Sequence, residues 1–95
     1  MEQQKQANIR IKDDDLKGVY SNIMQITHTQ EEFVLDFFTL FGQTGVLASR
    51  VIVSPSHFKR MVQALQDNIQ KYEGKFGAVI PAQAPKEGIG FKPQN

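Results

Sequence analysis

Two histidines, no cysteine and a scatter of carboxylates are the side chains from which any chemistry in this chain must come. Without cysteine, thiolate nucleophiles, thiolate metal sites and disulfides are excluded. Nucleophilic catalysis through Ser, Thr or Lys would need a base beside it and an orienting group beside the base. His28 closes a β-rich run and His57 falls in a first helical turn, so each is read as a surface or capping residue. Asp13, Asp14 and Asp15 are consecutive; their side chains diverge and lack the spacing and glycine of a calcium loop. Gly42-Gln43-Thr44-Gly45 lacks the Lys-Ser/Thr that a phosphate-binding loop requires, and Gly88-Ile89-Gly90 stands in a tail. Glu31, Glu32 and Asp36 would need a cleft to work as paired acids, and no pattern marks one. No enzyme activity, no cofactor and no metal are therefore expected.

Nucleic-acid binding is the rival reading. Lys59 and Arg60 open a helical segment and are its candidate phosphate contacts; Tyr20 and Phe38 are candidate stacking aromatics. Against this, Asp67 precedes Lys71 by one turn and Glu73 lies between Lys71 and Lys75, which makes a mixed, solvated face. Eleven Lys and Arg against ten Asp and Glu leave a net charge of +1, without the field of a dedicated nucleic-acid binder.

The elements that would position these residues follow from periodicity. The 95 residues suffice for one domain, 8–77, between a flexible N-terminus, 1–7, and a tail, 78–95, containing Pro81, Pro85 and Pro93. The tail is expected to be mobile rather than docked. The polar start shows no signal-peptide core and no apolar run nears the ~20 residues of a membrane span, so a cytoplasmic setting is expected. Asn8–Lys12 alternates polar and apolar residues as a short strand does. Strand patterns recur at 19–28, 33–41 and 46–53. Ser54 is a candidate N-cap and Pro55 a first helical residue. Phe58, Met61, Val62, Leu65, Ile69, Tyr72 and Phe76 then hold one helical face, with Leu65 mid-stripe and expected to be buried. The fold class is α+β: three or four antiparallel strands, then one long C-terminal helix packed on the sheet.

Parity adds two expectations. The run from Phe33 to Phe41 is apolar on both faces, so both should be covered. One helix covers one face, and another copy of the chain is the economical cover for the second. Asp36 and Arg50 are single charges in apolar strands. With an even residue sum across the turn, Phe33, Phe37 and Phe41 share a face with Leu47, Val51 and Val53, and Asp36 shares the other with Arg50. The pair reads as a structural ion pair.

Three ordered segments carry a resemblance: Gly18-Val19-Tyr20-Ser21-Asn22, Glu32 to Phe37, and Ser49 to His57 continuing through Tyr72-Glu73 to Phe76-Gly77. Together they resemble a family of short bacterial and archaeal proteins known only as a domain of unknown function, over roughly residues 8–80. Phe58-Lys59 departs from it, because a small residue is expected before the Lys. The resemblance implies no activity, ligand or catalytic residue. A weaker, fold-level likeness is to the export chaperone SecB, which also runs from antiparallel strands into a long helix and assembles as an oligomer. The leading expectation is a small, non-enzymatic homo-oligomeric binding or scaffold protein. Nucleic-acid binding and SecB-like holding of unfolded clients are the alternatives.

Overall fold

The computed structural model describes residues 6–83. The elements are a 3-10 turn, Asp13–Lys17, then β1 (Ile23–His28), β2 (Phe33–Phe41), β3 (Thr44–Val53) and α1 (Pro55–Phe76). The strands form one antiparallel sheet in the order β1-β2-β3, so the doubly apolar strand is central. The architecture is α+β, a three-stranded antiparallel sheet followed by one C-terminal helix.

Asn8–Lys12 is not a strand, and there is no fourth strand among the described residues. Its only apolar groups, Ile9 and Ile11, are both exposed, so nothing draws the segment into the sheet. The run 19–28 enters the sheet only at Ile23. Before it, Gly18 takes a φ of 73°, a left-handed value that favours glycine, and turns the chain after the 3-10 turn. The Ser21 hydroxyl donates to the Phe38 carbonyl at 2.9 Å. Asn22 then behaves like one more ladder residue: its amide donates to the Leu40 carbonyl at 2.9 Å, and its side-chain oxygen accepts from the Leu40 N–H at 2.8 Å. These bonds tie the chain entering β1 to the far end of β2.

Between β1 and β2, Thr29 Oγ1 accepts from the N–H groups of Glu31 and Glu32, closing the loop. Between β2 and β3 the turn has only two residues, Gly42 and Gln43. Gly42 has a φ of 59° while Gln43 is not positive, the sign pattern of a type II′ hairpin turn. At the turn Phe41 pairs with Thr44, an odd sum; beyond a bulge Phe37 pairs with Ser49, an even sum. Ala48 is the extra residue. The expected even register therefore holds only on the far side of the bulge. Leu47 pairs with Phe38 and joins the face of Asp36 and Arg50, not the face of Phe37 and Phe41.

One sheet face thus carries Phe33, Leu35, Phe37, Thr39 and Phe41 of β2 with Met24 and Ile26 of β1 and Val46, Val51 and Val53 of β3. The other carries Val34, Asp36, Phe38 and Leu40 with Ile23, Gln25, Leu47, Arg50 and Ile52. Among the described residues, Leu35 (3% exposed) and Phe38 (8%) are the buried apolar ones and Asp36 and Thr39 the buried polar ones. All four lie on β2, two on each face.

The sheet belongs to a compact unit that runs to Lys59; a second unit begins at Arg60. Within the first, Phe58 stacks on Phe33 with ring centroids 4.1 Å apart and 15° between planes. Ser54 caps α1, its hydroxyl accepting the His57 N–H at 3.2 Å. At the other end Gly77, with a φ of 98°, donates its N–H to the Glu73 carbonyl at 2.9 Å and stops the helix. The helix has no buried residue. Leu65, expected inside, is 65% exposed, and Val62, Ile69, Tyr72 and Phe76 of the same stripe are exposed with it: periodicity makes the face apolar without supplying what covers it. Of the tail, 78–83 is described; it has no regular secondary structure and is exposed, with Val79 N–H donating to Glu73 Oε2 at 2.9 Å. The remainder, including Pro85 and Pro93, lies outside the described residues.

Candidate functional site

Asp36 and Arg50 are directly opposed across β2 and β3. Arg50 Nε donates to Asp36 Oδ1 at 2.6 Å and Nη2 to Oδ2 at 3.0 Å, a bidentate fork that engages both carboxylate oxygens. The hydrogen bonds from Arg50 hold the Asp36 carboxyl below its ordinary value; burial pushes the other way, and the Arg50 charge adds to the lowering. The same contact raises Arg50 above its ordinary value. The Asp36 side chain is buried at 7% exposure, while that of Arg50 is 57% exposed. The carboxylate is thus held ionised and fully engaged, which suits a structural charge and not a general base.

Gln25 completes a row across the sheet, since it pairs with Asp36 on the side away from Arg50. Its amide oxygen is buried without a hydrogen-bond partner. Sequence reading passed over Gln25, whose alternation with Ile23 and Thr27 was the only available signal. The sequence likewise gives Ser21 and Asn22 no role; their side chains hold the entrance to β1.

The other candidates lie at other positions of the fold. His28 ends β1 with its ring 5.4 Å from that of Phe33, and His57 is at the capped start of α1. Asp14 meets Lys17 at 3.3 Å on the surface. Phe38 is buried, so it is a core residue and not a stacking platform, while Tyr20 is exposed. Lys59 and Arg60 are exposed on α1, with Asp67, Lys71, Glu73 and Lys75 following on the same helix. No group of three or more His, Asp or Glu side chains converges to hold a metal among the described residues. No helix among them is long and apolar enough to cross a membrane.

What the structure brings together is a clipped entry at Ser21 and Asn22, a central charge pair, and a capped helix. Residues 1–80 match a family described as a protein of unknown function, DUF3467. The chain belongs to this family. The match spans the 3-10 turn, the sheet, the ion pair and the helix of this chain. No curated protein matches the chain. No solved structure matches it either.

Proposed function

We propose that this DUF3467 protein is a non-catalytic binding or scaffold protein that acts as a homo-oligomer. The observation that carries the reading is the size of the core. Among the described residues only Leu35 and Phe38 are buried apolar residues, whereas Met24, Ile26, Phe41, Val46, Leu47, Val51 and Ile52 are exposed across both sheet faces. Scattered exposed apolar residues are normal, but contiguous patches of this kind mark an interaction surface. Small domains are already marginal, and two buried apolar side chains contribute only ~3–6 kcal/mol. The missing cover must be present whenever the chain is folded, and another copy of the chain is always present. The engaged state of Asp36 supports the non-catalytic half of the reading.

The mass in solution tests it. Sedimentation equilibrium at micromolar concentration is expected to give a multiple of 10.8 kDa. A strict monomer would defeat the proposal. The exposed apolar strand residues also favour a second reading, the holding of unfolded clients. Its mark would be suppression of the aggregation of an unrelated unfolded protein at stoichiometric ratios.

A further inference from the structure

The helix carries a narrower pattern than an amphipathic face. Phe58, Val62, Leu65, Ile69, Tyr72 and Phe76 alternate steps of four and three residues without interruption. That is the a/d seam of a coiled coil, with Val62, Ile69 and Phe76 at a and Phe58, Leu65 and Tyr72 at d. Phe58 is half-buried against Phe33; the other five are exposed, Phe76 to 66%. The e positions are Lys59, Gln66 and Glu73, and the g positions are Met61, Asn68 and Lys75.

Resting on the homo-oligomer reading, we propose that this seam is the contact between two copies of the chain, with the helices antiparallel. An antiparallel pair sets a against d. One register matches the whole stripe: Val62 lies against Tyr72 of the partner subunit, Leu65 against Ile69 of the partner subunit, and Phe76 against Phe58 of the partner subunit. In this arrangement e positions flank e positions. Lys59 then meets Glu73 of the partner subunit, and two-fold symmetry makes the same pair again at the other end. Gln66 meets its own counterpart at the axis. The hydrogen bond from Val79 N–H to Glu73 Oε2 already anchors this carboxylate and leaves its second oxygen to accept from a cation. A parallel pair would instead set Met61 beside Gln66 and Asn68 beside Glu73 of the partner subunit, matching no opposite charges. Charge complementarity therefore selects the second copy and its direction together.

Sedimentation equilibrium on the full chain tests the pairing with Lys59→Glu, Glu73→Lys and the double variant. Each single reversal places two like-charge contacts in the dimer and is expected to weaken it about 10-fold; the double variant should recover to within about 3-fold. Because the chain has no cysteine, Gln66→Cys supplies a clean reporter of direction. Its oxidation should link two copies, since e meets e only in the antiparallel pair. An oligomer indifferent to both reversals overturns this interface while leaving the homo-oligomer reading intact. Loss in the single variants without recovery in the double, or no Gln66→Cys cross-link in a dimer, also overturns it. A monomeric wild-type chain overturns both.

Discussion

Asp36 ties stability to pH. Its carboxyl titrates below its ordinary value of 3.8 when folded, because Arg50 donates two hydrogen bonds to it. A depressed folded value means that the unfolded chain binds the proton first as pH falls. The stabilisation is thus fully present above the unfolded value, near pH 4, and is lost as pH drops through the folded one. Asp36→Asn should flatten urea-unfolding stability between about pH 5 and pH 2 and leave Arg50 without its partner at neutral pH. A variant whose pH profile superimposes on the wild type would show that other carboxylates set the acid limit. Arg50→Leu should be the more damaging change, since it strands a charge at the buried Asp36 and not at an exposed side chain.

At the scale of elements, the bulge decides which side chains meet. The two-residue turn sets an odd register, and continued along β3 it would put Ser49 opposite Asp36 and Arg50 on the other face. Ala48 absorbs one residue, so Arg50 arrives opposite Asp36. Deleting Ala48 should give an unbroken ladder that keeps both halves of the pairing, Phe38 with Leu47 and Asp36 with Arg50. The expected outcome is a folded chain that retains the acid profile assigned to Asp36. Loss of that profile would mean that the bulge also shapes the pair. Much of this was legible beforehand. The apolar run of β2, the Ser54-Pro55 start and the helical period reported β2 and α1 to within a residue. Asp36 and Arg50 could be matched because isolated charges in apolar strands need each other. The bulge was not legible, because Ala48 looks like any other strand residue and only the length of the turn betrays it. Asn8–Lys12 misled because alternation describes a strand's faces but not the neighbour it must bond to. Leu65 was placed inside because periodicity reveals that a face is apolar, not what covers it.

For the whole molecule, the homo-oligomer proposed above would join folding and assembly in a single process, since the partner copy would cover the exposed strand residues. The unfolding midpoint of an obligate oligomer depends on protein concentration, because dilution favours the dissociated, unfolded chains. Thermal or urea unfolding of this protein should therefore shift to higher stability as concentration is raised a hundredfold. For a dimer that unfolds with dissociation, the shift corresponds to about 2.7 kcal/mol per hundredfold. A midpoint independent of concentration would assign the stability to the protomer itself.

The bulge has one more consequence, which concerns aggregation. β3 is an edge strand of ten residues, and its Val46, Leu47, Val51 and Ile52 are exposed. A flat edge of that length and composition is a template for uncontrolled strand addition into fibrils. The extra residue at Ala48 bends and twists the edge and so works against such strand addition. Chains lacking Ala48 would then fold and still precipitate faster than the wild type at the same concentration.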